Sequence, residues 1–146
     1  MSSITPITAD DRPAWEALWQ AYLTFYEAEV PADVTESTFQ RIVADEHLHG
    51  AFARDAEGRP IGLVHWLTHP GTWTSKVVCY LEDLYVDPDA RGEGAGTALI
   101  EHVRDWARLF GATSVYWHTK EDNATARSLY DKVATSTGFV HYEIEL

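Results

Sequence analysis

The chain has 146 residues, 45% of them hydrophobic, and its 23 acidic residues outnumber its 11 Lys and Arg, giving a net charge of −12. This charge argues against non-specific binding to nucleic acid or anionic membranes and favours a basic partner such as a polyamine, although an acidic surface also simply keeps a protein soluble. No run approaches the roughly 18 apolar residues of a membrane span, and the N-terminus lacks the layout of a signal peptide. We therefore expect one soluble, cytoplasmic domain over residues 1–146, and the single cysteine excludes an intrachain disulfide.

The first half of the chain is predicted to contain two helices followed by a hairpin. Aromatic and aliphatic residues at helical spacing predict a helix over residues 12–29, which Pro31 should end. A second helix is expected over residues 36–44. Two strands, over residues 49–54 and 60–67, flank a short polar turn and should pair as a β-hairpin.

The second half alternates strands with helices, which predicts an α/β sheet. Residues 76–86 are rich in β-branched and aromatic side chains and should form a central strand that buries Cys79. The best-defined helix begins near Gly94 and should stop at Gly111. Three further elements are expected after it: a strand over residues 114–118, a helix over residues 123–133 and a last strand over residues 139–146.

The loop between the central strand and this helix reads Arg91-Gly92-Glu93-Gly94-Ala95-Gly96. A helix N-terminus offers unpaired N–H groups and the positive end of the helix dipole, and Arg91 adds donors suited to phosphate. The loop therefore predicts a diphosphate site, the alternative being a plain glycine-rich connection. Two other phosphate motifs are excluded, since the Walker pattern needs a lysine where Thr97 stands and the dinucleotide pattern needs a glycine where Leu99 stands.

Two motifs in this order resemble those of the GNAT superfamily of N-acetyltransferases. The loop at residues 91–96 matches the Arg/Gln-x-x-Gly-x-Gly/Ala signature, and the run from Asn123 to Tyr130 is similar to the second motif, Asn-x-x-Ala-x-x-x-Tyr. Within the superfamily, residues 80–86 and 130–134 most resemble the histone-and-polyamine acetyltransferases and, less closely, the spermidine/spermine acetyltransferases. The resemblance spans nearly the whole chain but is specific mainly between residues 80 and 130.

This resemblance implies a single α/β domain with a mixed sheet of about six to seven strands, two of them splayed apart, and about four helices. It also implies that the cofactor is acetyl-CoA, whose pantetheine arm lies between the splayed strands. Main-chain groups at the end of the central strand, the glycine-rich loop and the second motif would then bind the cofactor. The implied residues are Leu84, Tyr85, Val86, Arg91, Gly92, Glu93, Gly94, Ala95, Gly96, Thr97, Asn123 and Tyr130. For Asn123 the alternative is a role as helix N-cap alone.

The resemblance also implies the acid and the base of the reaction. Tyr130 is expected to protonate the departing thiolate, the alternative being a tyrosine that only packs under the cofactor. A lysine-like amine has a pKa of about 10.4, so a base must remove its proton before it can attack. Glu82 is the predicted base, acting directly or through water. Asp83 is the alternative, because a β-bulge here would reset the alternation of side chains along the strand.

The acceptor site is expected to combine aromatic rings with carboxylates, a set that suits a cation. The predicted substrate-binding residues are Tyr22, Tyr26, Glu27, Glu82 and Trp73, although most of these aromatics repeat at helical spacing, which favours a core role over a cage. The predicted acceptor is a polyamine or another small primary amine. Basic protein tails, and a non-catalytic acyl-CoA sensor, are the alternatives.

The histidines and the strand edges bear on metal binding and on partners. His47 and His49 would share one face of a strand, but no Cys or carboxylate cluster completes a metal site, so no metal is expected. Exposed strand edges near the C-terminus and the habit of the resembled family favour a homodimer. No nucleic-acid or membrane partner is expected.

Overall fold

The computed structural model describes residues 2–146 and contains two compact units, which divide between Tyr116 and Trp117. The first unit contains three helices and all five strands. Its elements are β1 (Ser3–Pro6), α1 (Arg12–Phe25), α2 (Ala32–Ala44), β2 (His49–Arg54), β3 (Pro60–Pro70), β4 (Val77–Val86), α3 (Ala95–Phe110) and β5 (Ala112–Tyr116). The second unit contains one helix, α4 (Ala124–Val133). Within residues 2–146, no helix is both long and apolar enough to cross a lipid bilayer.

The five strands form one mixed sheet in the order β1-β2-β3-β4-β5. The first three pairings are antiparallel, and the predicted hairpin is confirmed by pairs such as Phe52↔Leu63. The pairing of β4 with β5 is parallel, because α3 carries the chain back along one face of the sheet. An α/β sheet with an antiparallel first half is therefore confirmed.

Helices α1 and α2 cover one face of this sheet. Apolar residues recur every three or four positions along α1, so one stripe of the helix enters the core. Each large side chain buried there contributes roughly 1.5–3 kcal/mol. The buried cluster consists of Ile7, Trp15, Leu18, Trp19, Leu23, Phe39, Ile42, Phe52 and Leu63.

Helix α3 packs against the sheet through Leu99, Val103 and Ala107, which are buried. The helix ends where expected, because Gly111 adopts a φ of 102° and its N–H closes the last turn onto Ala107. Trp106 of α3 lies against β3, with its ring 5.5 Å from the ring of Trp66. The sheet thus has a helical layer on each face.

Two predicted helix bounds differ from the structure. Helix α1 ends at Phe25 instead of continuing to residue 29, because Tyr26 leaves the helical conformation and Glu27 takes a positive φ of 54°. Helix α2 begins at Ala32, four residues earlier than predicted, since the carbonyl of Pro31 accepts the first helical hydrogen bond, from Thr35. Proline favours the start of a helix, where its missing N–H costs nothing.

The predicted number of six to seven strands is wrong, because the sheet formed by residues 2–146 has five strands. Residues 139–146 alternate apolar and polar side chains as a strand would, yet they form no regular structure. A strand exists only when its backbone pairs with a neighbour, and an alternating pattern does not supply one. The apolar side chains of this segment are exposed: Phe139, Val140, Tyr142, Ile144 and Leu146.

Candidate active site

A β-bulge in β4 shapes the candidate site. His65 of β3 pairs with Asp83 and Trp66 pairs with Leu81, so Glu82 is an extra residue without a partner in β3. Two residues of β4 therefore stand opposite one position of the neighbouring strand, which bends β4 and resets its alternation. As a result, Glu82 and Asp83 line the same recess, although neighbouring residues of a regular strand point to opposite faces.

The recess lies between the sheet and α2. It is lined by Thr38, Ile42, Leu48, His65, Trp66, Glu82 and Asp83 and holds about 230 Å³, open solvent included. The enclosed part of the recess is only about 20 Å³, which is close to the space that one water molecule needs, so most of the recess is an opening to solvent.

Asp83 is fixed by two neighbours inside the protein. Its Oδ2 lies 2.9 Å from Nδ1 of His65, and its carboxylate also accepts a hydrogen bond from the hydroxyl of Tyr22. The side chain of Asp83 is 15% exposed and that of His65 only 6%. On its other side, His65 accepts a hydrogen bond of 3.0 Å at Nε2 from the indole N–H of Trp15.

Glu82 keeps part of its surface in solvent, while its inner side faces protein. Partial desolvation raises the pKa of the Glu82 carboxyl, and the nearby charge of Asp83 raises it further. The positive charge of Arg41 opposes this rise. A carboxyl whose pKa is moved toward neutrality is better matched to accepting a proton from an amine.

Three of the predicted acceptor residues lie together. The ring of Tyr22 is 5.1 Å from that of Tyr26, and Glu82 is close enough to influence the Tyr22 hydroxyl. Burial and the charge of Asp83 raise the pKa of Tyr22, so its phenol stays protonated. Glu27 is exposed at the end of α1. Trp73 is 95% exposed in the loop between β3 and β4, and no ring contact joins it to the tyrosines described here.

The second half of β4 leaves one edge open. Pairing with β5 stops at Tyr80, whereas pairing with β3 continues to Val86. Leu84, Tyr85 and Val86 therefore belong to the stretch of β4 that does not pair with β5. A strand edge of this kind offers main-chain donors and acceptors to an extended ligand.

The loop at residues 91–96 leads directly into α3. Gly92 and Gly94 have φ values of 88° and 81°, which favour glycine, and Gly94 is the residue that precedes the helix. No side chain caps α3. The first main-chain hydrogen bond of the helix runs from the N–H of Ala98 to the carbonyl of Gly94. The N–H groups of Ala95, Gly96 and Thr97 therefore precede the first helical bond. Arg91 and Glu93 are exposed beside them.

Asn123 and Tyr130 lie in the second unit. The side chain of Asn123 caps α4, accepting from the N–H of Ala126 at 3.3 Å and donating to Thr119 at 3.3 Å. This is the local role that Asn favours at a helix start. The ring of Tyr130 is half-buried and packs edge-on against Trp117, with ring centres 5.4 Å apart.

Cys79 and His49 are buried residues of the sheet. Cys79 is fully buried, as predicted, and burial raises the pKa of its thiol to about 11, so the thiol stays protonated at neutral pH. His49 is buried and its Nδ1 lies 2.6 Å from Asp45. Among residues 2–146, no group of three or more His, Cys, Asp or Glu side chains is arranged to hold a metal ion.

Comparison with known proteins decides the family. The sequence model of the acetyltransferase (GNAT) family matches residues 15–134, which is most of the chain. The chain belongs to the GNAT family. It is therefore an N-acetyltransferase, and the predicted enzyme class of acyltransferase is confirmed. The narrower resemblance to polyamine and histone acetyltransferases stays a prediction.

Two relatives cover nearly all of this GNAT protein. A D-amino-acid N-acetyltransferase of Saccharomyces cerevisiae is 39% identical over 142 residues, which are 96% of this chain and 88% of that protein. An aminoglycoside N(6')-acetyltransferase type 1 of Klebsiella aerogenes is 28% identical over 137 residues, with 87% of this chain and 84% of that protein covered. Both relatives are named for small-molecule amines.

Solved structures share the fold. The aminoglycoside N-acetyltransferase AAC(6')-Iy, solved in complex with CoA, superposes on this GNAT protein with a TM-score of 0.85 at 21% identity, covering 99% of this chain and 95% of that one. The ribosomal-protein-alanine N-acetyltransferase of Brucella melitensis superposes with a TM-score of 0.81 at 21% identity over the whole of both chains. At this identity the likeness establishes the fold alone.

Sequence reasoning missed His65 as part of the site. The residues predicted for the site do not include this histidine, although its partners are the candidate carboxylate Asp83 and the core residue Trp15. The available signal was its position in the apolar run of β3, where a buried imidazole needs partners for both nitrogens. The identity of those partners depends on pairings distant in sequence.

Proposed function

We propose that this GNAT protein transfers the acetyl group of acetyl-CoA directly to the primary amine of a small molecule. The observation that carries the proposal is the bulge in β4, which gathers Glu82 and Asp83 in one recess beside the part of β4 that does not pair with β5. Two carboxylates beside Tyr22 suit an ammonium group. The open edge suits an extended thioester arm.

Glu82 is the proposed base. Its raised pKa favours acceptance of a proton from the bound ammonium, directly or through one water, and the neutral amine then attacks the thioester carbonyl. Tyr130 is the proposed acid, which gives its proton to the thiolate as the carbon–sulfur bond breaks. The attacking nitrogen then loses its second proton to solvent, and solvent reprotonates Tyr130. Direct transfer is also supported by Cys79, since a buried, protonated thiol is a poor nucleophile.

Cofactor contacts are proposed at the open edge of β4, at the start of α3 and at Asn123. Main-chain groups of Leu84, Tyr85 and Val86 would bond the pantetheine arm along the open edge. The N-terminus of α3, with Arg91, would bind the diphosphate, because unpaired amides and the helix dipole favour an anion there. Asn123 would border the cofactor site while capping α4.

Two classes of acceptor have specific support. The net charge of −12 and the paired carboxylates favour a polyamine, whereas the most extensive similarity described above is to an enzyme named for D-amino acids. The two acceptors differ in one group, since an amino acid also brings a carboxylate that needs a cation. Arg41 of α2 is the cation that acts on Glu82. It would serve an amino acid but repel a polyamine.

The test is release of free thiol from acetyl-CoA in the presence of polyamines, D- and L-amino acids, aminoglycosides or basic peptides. Tyr130→Phe keeps the ring on Trp117 and removes only the hydroxyl, so kcat should fall roughly 10²- to 10⁴-fold. Cofactor binding without turnover on any amine would instead indicate a sensor, and turnover on peptides alone would indicate protein tails.

We also propose that the protein is a homodimer. The support is the C-terminal segment, residues 139–146, whose alternating apolar side chains are exposed and whose backbone forms no strand. A second copy would supply the missing partner. Sedimentation of the protein should give twice the monomer mass, and the paired substitution Val140→Asp and Ile144→Asp should reduce it to the monomer. A monomeric parent protein would refute the proposal.

A further inference from the structure

Both ring nitrogens of His65 have defined partners. The indole N–H of Trp15 can only donate, so Nε2 of His65, 3.0 Å away, must accept and carries no proton. The remaining nitrogen, Nδ1, then carries the proton of the neutral ring and donates it to Asp83 at 2.9 Å. Trp15 is completely buried and His65 nearly so, which keeps water from replacing either bond.

Asp83 therefore accepts from two neutral donors. Tyr22 stays protonated, because burial and the charge of Asp83 both raise its pKa, and it donates to Asp83 from α1. Neutral donors hold a carboxylate in place without cancelling its charge, whereas an imidazolium would neutralise it. The arrangement thus preserves a fixed negative charge within the recess.

We propose that His65 is a positioning residue, which Trp15 holds in a single neutral tautomer so that it fixes the charged carboxylate of Asp83 beside Glu82. This inference rests on the proposed function, since it assigns His65 a part in acceptor binding and proton transfer. We assign the effect of His65 to Asp83, whose charge attracts an ammonium and influences when Glu82 is ionised.

Titratable and charged groups from β4, β3, α2 and α1 surround Glu82 and set its electrostatic environment. On its own strand, Asp83 is the charged neighbour and Tyr80 the nearby phenol. His65 faces it from β3, and Arg41 faces it from α2. From α1, the Tyr22 hydroxyl lies within its influence. Of these, Asp83 is the group whose position depends directly on His65.

Two substitutions separate the two nitrogens. In His65→Asn the amide nitrogen takes the place of Nδ1 and still donates to Asp83, whereas in His65→Gln the longer side chain reaches toward Trp15 instead. Both variants are neutral and planar and both lose the ring, so their effects on packing are matched. The first should keep kcat/KM within about threefold, and the second should lose roughly ten- to a hundredfold, the worth of a hydrogen bond to a charged group.

The pH profile provides a readout that a purely structural role would not change. When Asp83 is released in His65→Gln, Glu82 loses the neighbouring charge that raises its pKa, so the acid limb of kcat/KM should move to lower pH. In His65→Asn the acid limb should stay in place. Equal activities and equal profiles for the two variants would overturn the proposal.

The tautomer can be read without turnover, from two-bond ¹H–¹⁵N correlations of His65 in the uniformly ¹⁵N-labelled full chain. An Nδ1–H ring at neutral pH is the expected result, and an Nε2–H ring or an imidazolium would overturn the proposal. If the parent protein acetylates no amine, the proposed function fails, and the spectrum alone then decides whether His65 holds Asp83.

Discussion

Gly94→Ala should weaken acetyl-CoA binding by disturbing the backbone at the start of α3. Gly94 has a φ of 81°, and an added Cβ would meet no atom within 4 Å, so backbone strain is the whole effect. The left-handed conformation costs an L-residue about 1–2 kcal/mol. This should lower the melting temperature by about 2–8 °C. If the loop relaxes, its amides turn away from the diphosphate, and the loss of one charge-assisted bond should raise KM for acetyl-CoA roughly tenfold or more.

Gly58→Ala is the matched control for this experiment. Gly58 lies in the turn between β2 and β3 with a φ of 84°, and a Cβ there also meets nothing within 4 Å. It should lower the melting temperature by a similar amount and leave KM unchanged. Gly94→Asn should fall between the parent and Gly94→Ala, since Asn adopts this conformation more readily. Thermal unfolding and thiol-release kinetics measure the two effects, and an unchanged KM in Gly94→Ala would refute the proposed diphosphate site.

Three further predictions concern the recess. Asp83→Asn removes the charge that raises the pKa of Glu82, so the acid limb of kcat/KM should move to lower pH; an unmoved limb would exclude Glu82 as the base. Glu82→Gln should stabilise the fold by less than about 1 kcal/mol at neutral pH, as the side chain is partly solvated. Urea unfolding should show that this gain vanishes below the pKa of an unfolded glutamate, where residue 82 is uncharged in both proteins. Arg41→Gln should raise KM for an amino acid but not for a polyamine, while Arg104→Gln, on α3, should change neither; equal KM changes for both acceptors would remove Arg41 from acceptor selection.

Local sequence signals predicted the elements better than their ends. The stripe of α1 and the glycine at the end of α3 act within a few residues, so their consequences could be read directly. The end of α1 at Phe25 could not, because Glu27 takes a positive φ that its residue type does not favour. The prediction of a last strand failed for a related reason, since residues 139–146 have the alternating pattern of a strand but pair with no neighbouring strand.

The candidate site was predictable where it depends on one stretch of chain. The glycine-rich loop and the two carboxylates at Glu82 and Asp83 are contiguous, and the bulge was anticipated only through the resemblance. The contact between His65 and Asp83 joins residues 18 positions apart, and the bond from Trp15 to His65 spans 50 positions. Such pairings follow from sheet register and helix packing, which no local pattern encodes.

The half-paired strand β4 links the stability of this protein to its metabolic surroundings. Under the proposed function, the thioester arm fills the edge that β5 leaves after Tyr80, so the metabolite completes the sheet. A ligand present at 100 times its Kd stabilises the folded state by about 2.7 kcal/mol. A cell poor in acetyl-CoA would then hold not only a slower enzyme but one whose central strand opens more often to proteases.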